Sequence, residues 1–140
     1  MTLIVDAGAL YVQADRNARE HAAVTRVLRA EPGPLVTSEL AIAEADYLIL
    51  NRLGVDVELA FLQDLVEGTF AVACLTQQEL GAALAVARRY RGLRLGLADC
   101  SLIVLAQRHR TNRLASFNER DFRAVTPLQG GSFVLLPADA

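Results

Sequence analysis

Apolar stretches too short for helices alternate along this chain with helical patterns of roughly 10–15 residues, and this alternation restricts the fold most. Strands are expected at Thr2–Asp6, Leu35–Thr37, Thr69–Leu75, Arg113–Phe117 and Phe133–Leu136. Helices are expected at Ala7–Ala14, Asn17–Ala30, Glu39–Arg52, Asp56–Val66, Gln77–Tyr90 and Leu97–His109. Pro32-Gly33-Pro34 must end the second helix, because proline lacks a donor and fixes φ. Ser38 is placed to cap the third. Gly92–Gly96 reads as a loop and Asn118–Ala124 as a short turn. Strands joined through helices require right-handed crossovers, so the chain should be α/β with a mostly parallel sheet covered on both faces. Ligands of such sheets bind outside the carboxyl ends of the strands, which directs attention to the residues there.

At 140 residues the chain is expected to form a single domain, residues 1–140, with a core that needs no staples. No apolar run approaches the roughly 18–20 residues of a membrane span. Met1–Asp6 has no basic region and meets an acid at once, so it reads as the first strand of a cytoplasmic domain rather than a secretion signal. Cys74 and Cys100 lack metal-ligand spacing and are expected to be small buried hydrophobes. His21 and His109 stand among charged residues and are expected at the surface. The chain contains no lysine, which excludes P-loop, Schiff-base and receiver-type lysine chemistry. It also lacks a GxSxG elbow and a phosphate-cradling glycine loop.

The net charge of −2 hides an asymmetry. Residues 1–87 hold five arginines against 12 acids, whereas residues 88–123 hold nine against three. Arginines clustered beside acidic chemistry suit a protein that cleaves phosphodiesters, although by themselves solvated helix faces are the better account of them.

Asp6 ends the first strand, at the carboxyl edge; it could cap the following helix as well. Glu44 has Leu40, Ala41, Tyr47 and Leu48 at i±3 and i±4, so its carboxylate is expected on the core-facing stripe. A buried, unpaired carboxylate costs several kcal/mol and should meet a cation, proton or metal. Asp46 should point about 200° away from it, into solvent. Asp99 opens a strongly apolar helix between Leu95, Leu102 and Ile103. Further acids follow the strand ending Ser116-Phe117, in Asn118-Glu119-Arg120-Asp121-Phe122. Acids at one sheet edge suit a shared Mg²⁺ or Mn²⁺, which takes oxygen ligands and keeps waters. The chemistry that follows is water activation and in-line attack on phosphorus.

The segments Val5–Leu10, Ser38–Leu48, Leu97–Ala106 and Ser116–Phe122 together resemble the PIN-domain family, specifically VapC-type toxins of toxin–antitoxin pairs. The resemblance covers nearly the whole chain. It implies a three-layer α/β/α sandwich, a Mg²⁺ or Mn²⁺ pocket and endoribonuclease activity. It further implies a homodimer and a cognate VapB-type antitoxin that covers the site. The family's acids fall on Asp6, Glu44 and Asp99, with Asp6 and Asp99 as the principal metal ligands. At the fourth position the family usually shows an aspartate where this chain has Asn118; either Asn118 or Asp121 fills that place. Three other readings compete: a catalytically silent RNA- or antitoxin-binding module, a flap- or resolvase-type DNA nuclease, and a small-molecule binding domain. The short chain argues against the second, and the missing glycine loop against the third.

Overall fold

In a computed structural model that describes residues 1–140, five strands form one sheet: β1 (Leu3–Val5), β2 (Leu35–Ser38), β3 (Ala71–Ala73), β4 (Arg113–Ala115) and β5 (Val134–Leu136). Their order is β3-β2-β1-β4-β5, and every neighbouring pair is parallel. The register sets Ile4 beside Val36 on one side and Leu114 on the other. Leu3, Ile4 and Val5 are all fully buried. Successive strand residues face opposite sides, so both faces of the sheet are covered, as the three-layer expectation requires. The edge strand β3 is shorter than expected; it pairs on one side only and leaves Val72 exposed.

Seven helices surround the sheet: α1 (Ala7–Ala14), α2 (His21–Ala30), α3 (Glu39–Leu53), α4 (Val55–Val66), α5 (Gln77–Arg89), α6 (Gly96–Arg108) and α7 (Glu119–Ala124). Local chemistry starts four of them. The side chains of Asp6, Ser38 and Asn118 cap α1, α3 and α7, and Thr76 with Glu79 forms a reciprocal capping box on α5. None of the helices is long and apolar enough to cross a membrane.

Some boundaries depart from expectation. The second helix begins at His21 rather than Asn17, because Asp15 turns the chain by accepting the Asn17 N–H at 3.1 Å. Asn118–Ala124, expected as a turn, contains α7, which Asn118 nucleates. A single 3-10 turn, Arg91–Leu93, links α5 to α6, and Arg94 closes it at a left-handed φ of 54°. Gly33 ends the loop after α2 where only glycine fits: a Cβ there would lie 2.0 Å from the Met1 carbonyl oxygen.

Helix α6 is buried at every residue from Cys100 to Ala106, wedged between the sheet and the helices α3 and α5. Helices α5 and α6 run antiparallel, since Glu79 in the first turn of one pairs with Arg108 in the last turn of the other. The short turn between them therefore lies at the start of α6, beside Asp99.

Candidate active site

Asp6 continues the β1 ladder, donating its N–H to Ala115 O at 3.1 Å, and then starts α1. Its Oδ1 accepts the Ala9 N–H at 2.8 Å. Ser116, buried just after β4, lies beside its carboxylate. Asp6 is thus a helix cap, and capping through one oxygen is compatible with its candidacy as a site acid. Burial, and to a smaller degree the charge of Glu44, push its pKa up to about 6 against those hydrogen bonds.

Asp99 lies half-buried in the first turn of α6. Its pKa is raised to about 7, first by burial and then by the charges of Asp6, Glu44 and Asp121. The four acids therefore share one electrostatic neighbourhood, although they come from four different elements. No lysine, arginine or histidine offsets the charge of Asp6 or Asp99 there.

Glu44 reaches the site by a different route from the one expected. The residues of α3 that face the core are Ala41, Ala45 and Ile49, and Glu44 is exposed. Tyr47, which helped assign the apolar stripe, is 68% exposed. Each residue turns a helix by about 100°, so Glu44 and Asp46 stand on opposite flanks of Ala45. Glu44 takes the flank toward Asp6 and Asp99. Asp46 is not solvated as expected: it faces Glu58 of α4, and its Oδ1 is buried without a hydrogen-bond partner.

The fourth position is a small assembly. The Asn118 side chain donates from Nδ2 to Asp121 Oδ2 at 2.9 Å, and its Oδ1 faces the Asp121 N–H at 3.4 Å. Asp121 Oδ1 is buried with no hydrogen-bond partner, and the Arg120 Nε stands 3.7 Å from it. The fully buried Phe122, edge-on to Phe133 at 6.0 Å, anchors α7 beside the pocket.

The donor set suits a hard divalent cation: four carboxylates, one with an orphaned buried oxygen, and a nearby amide. No three His, Cys, Asp or Glu side chains already converge as a ready-made ligand set. The acids face one another at Coulombic range, so a cation must draw the carboxylates inward. Mg²⁺ requires few protein ligands because it keeps several waters.

Other groups expected from the sequence lie elsewhere. His21 and His109 are half-buried rather than fully at the surface; His21 Nδ1 meets Val12 O at 3.0 Å, and burial lowers the His109 pKa. Cys100 is buried as expected, but Cys74, following the edge strand, is exposed. A cavity of about 610 Å³, lined in part by Leu10, His21, Thr25 and Phe61, contains none of the four acids. The acids lie outside this hollow. Sequence reasoning missed Thr37 and Ser101 as buried hydroxyls, and it read Ser38 only as a cap and not as a buried partner of another hydroxyl. Their only sequence signal is position next to strand ends or to Asp99.

The arginine-rich stretch divides on folding. Arg108 pairs with Glu79, Arg113 with Glu31, and Arg123 with Glu119 and Asp139. Arg88, Arg89, Arg91 and Arg94 make no salt bridge and lie at the α6 end that carries Asp99.

Ribonuclease VapC26 of Mycobacterium tuberculosis is 36% identical over 135 residues, covering 96% of this chain and all of the relative. The fold is similar to that of M. tuberculosis VapC20, a sarcin–ricin-loop-cleaving toxin, with a TM-score of 0.77 at 16% identity over 83% of this chain and 89% of that one. A toxin–antitoxin complex from Klebsiella pneumoniae contains a similar chain, with a TM-score of 0.65 at 22% identity over 89% of this chain and 97% of that one. Those two likenesses concern the fold. Residues 3–126 match the PIN domain, and with a curated relative aligned over nearly its whole length, this chain belongs to the PIN-domain family.

Proposed function

We propose that this chain is a divalent-cation-dependent endoribonuclease, the toxin of a toxin–antitoxin pair, acting in the cytoplasm as a single domain, with Asp6, Glu44, Asp99 and Asp121 as its catalytic acids. The observation that carries the reading is the set of four mutually repelling carboxylates at the carboxyl edge of a parallel sheet. The near full-length identity to a ribonuclease supports RNA as the substrate.

Bound Mg²⁺ or Mn²⁺ would supply Lewis-acid polarisation of the phosphate and an acidified water. Asp6 and Asp99, the two acids with raised pKa values, hold the cation. Glu44, exposed on its flank of α3, reaches the pocket from the solvent side. Asn118 binds one oxygen of Asp121 and leaves the other free, so Asp121 is the fourth ligand and Asn118 its holder. Arg88, Arg89, Arg91 and Arg94 receive phosphates flanking the scissile bond, offsetting the repulsion between RNA and the acids.

A cognate VapB-type antitoxin is the partner, a reading supported by the fold's likeness to a chain solved in a toxin–antitoxin complex. A homodimer is supported by Val55, Leu59, Leu62 and Val66, an exposed apolar row at helical spacing on α4. The second reading, a silent binding module, draws on Asn118, which brings an oxygen without charge. Purified protein should cleave RNA in Mn²⁺, stop in a chelator, and stop on Asp99→Asn. Cleavage that survives both treatments would falsify the nuclease reading; RNA binding without cleavage in the wild type would favour the silent module.

A further inference from the structure

Six polar or charged residues are buried in this protein, and five of them, Asp6 and the hydroxyl residues Thr37, Ser38, Ser101 and Ser116, lie at the carboxyl edge of the sheet. Thr37 Oγ1 donates to Val5 O at 2.8 Å, tying the end of β2 to the residue before Asp6. Ser38 and Ser101, at 1% and 0% exposure, meet Oγ to Oγ at 2.8 Å. This is the one side-chain hydrogen bond that joins the start of α3 to α6. Each hydroxyl has a single hydrogen, which fixes the direction. Ser101 Oγ donates to Ala98 O, so Ser38 must donate to Ser101, while Ser38 Oγ accepts the Ala41 N–H at 3.0 Å. Every donor in the chain of bonds is used.

We propose that the Ser38–Ser101 pair positions the cation site, by setting the distance between α3, which carries Glu44, and α6, which carries Asp99. The proposal rests on the metal-dependent reading above. Ser38 lies six residues before Glu44, and Ser101 two residues after Asp99. Their oxygens approach closer than apolar groups can, since carbon atoms in contact need about 4 Å. Alanine at either position removes the bridging oxygen and leaves a gap beside a stranded donor, so the spacing of the two helices is no longer held. Ligand oxygens tolerate errors of only about 0.2 Å at a metal, so a small spread is felt there. Ala41 and Ala45, both fully buried, add no long side chain that could hold the spacing instead.

Thr111 provides a matched control. It is a buried hydroxyl of the same kind, donating to Thr2 O at 2.7 Å, but at the amino edge of the sheet. Mn²⁺ affinity is measured on the whole chain without RNA, from the electron paramagnetic resonance signal of the free ion. Ser101→Ala should weaken Mn²⁺ about tenfold, as loss of a supporting partner does at other metal sites. Ser38→Ala should do the same, and the double variant should add little, because one bond is lost in all three. Thr111→Ala should lower the melting temperature yet leave the Mn²⁺ Kd within about twofold of wild type. A wild-type Kd in Ser101→Ala and Ser38→Ala, or an equal loss in Thr111→Ala, overturns the positioning role. Wild-type protein that binds no Mn²⁺ overturns the metal reading itself, and this proposal with it.

Discussion

Glu31 and Asp99 are both carboxylates withdrawn from water, but their neighbours differ in sign. Glu31, whose side chain is 1% exposed, meets Arg113 across 82 residues of sequence. Asp99 meets Asp6, Glu44 and Asp121. Glu79 resembles Glu31: Arg108 grips it from two nitrogens and holds its pKa at about 2. This fold can supply guanidinium groups to acids and does so at the ion pairs. It withholds them from the pocket, apart from Arg120 at the edge of Asp121. Acids left in mutual repulsion lower stability unless a cation completes them, so the contrast separates structural carboxylates from those kept for a ligand.

The largest effect should come from removing charge at each place. Asp99→Asn should fold as well as wild type and lose at least a hundredfold in RNA cleavage, by analogy with lost electrostatic stabilisation elsewhere. Its melting temperature should no longer rise in millimolar Mn²⁺, because the cation stabilises only a protein that binds it. Glu31→Gln should show the reverse: cleavage retained, and stability lowered by about 2 kcal/mol through the lost charged hydrogen bond. Denaturant melts and a fluorogenic RNA would measure both. If Asp99→Asn destabilises as Glu31→Gln does, the two carboxylates are not different in kind.

RNA binding offers the next largest contrast. In an Asp99→Asn background, replacing Arg88, Arg91 and Arg94 together by alanine should flatten the salt dependence of binding by about two units of slope, near 0.7 per phosphate contact. Arg123→Ala, which removes a guanidinium already paired with Glu119 and Asp139, should leave the slope unchanged. Fluorescence anisotropy across a salt series would decide. An unchanged slope in the triple variant would move the RNA surface to Arg16, Arg19, Arg26 and Arg29.

The two kinds of acid also differ in pH dependence. Asp6 and Asp99 have folded pKa values of about 6 and about 7, above the ordinary 3.8. Their contribution to stability is complete below about pH 4 and is lost as pH rises through 6 and 7. Glu79, held at about 2, works oppositely: its contribution is present above 4.5 and is lost as pH falls toward 2. Metal-free wild type should therefore lose melting temperature between pH 4.5 and 7.5 relative to the Asp6→Asn/Asp99→Asn variant. Mn²⁺ should restore part of it at pH 7.5. Parallel curves for the two proteins would show that the pocket does not raise the pKa values of these two acids.

The smallest effect tests the fourth position. Asp121→Ala should reduce cleavage more than Asn118→Ala, which removes a cap and a holder of Asp121 rather than a ligand. Asn118→Ala should also cost about 1 kcal/mol as a lost helix cap. Asn118→Asp should retain activity or raise it. Full activity in Asp121→Ala with a dead Asn118→Ala would make the amide the ligand and reverse the assignment.

The succession of strands and helices along the chain, and the acids that follow the strands, were legible because their signals are local. Leu3-Ile4-Val5 reads as a central strand from its unbroken apolar run, and an acid directly after it must sit at the carboxyl edge. The cap at Ser38 follows from short-range hydrogen-bonding chemistry. Glu44 does not lie on the core-facing stripe expected of it. Counting apolar neighbours at i±3 and i±4 could not distinguish the core side of α3 from the flank, because Tyr47, one of those neighbours, is itself exposed.

By itself, the amino-acid order determined the alternation of strands and helices, the parallel sheet and the placing of Asp6 and Asp99 at its working edge. Those depend on periodicity, caps and chain direction, which act within a few residues. Tertiary structure alone decided which arginines are consumed in ion pairs, and that Glu44 and Asp46 take opposite flanks of α3. It also decided that Ser38 meets Ser101 across 63 residues. A side chain's solvent, counter-ion and hydrogen-bond partner come from segments remote in sequence, and no local pattern encodes which of them arrives.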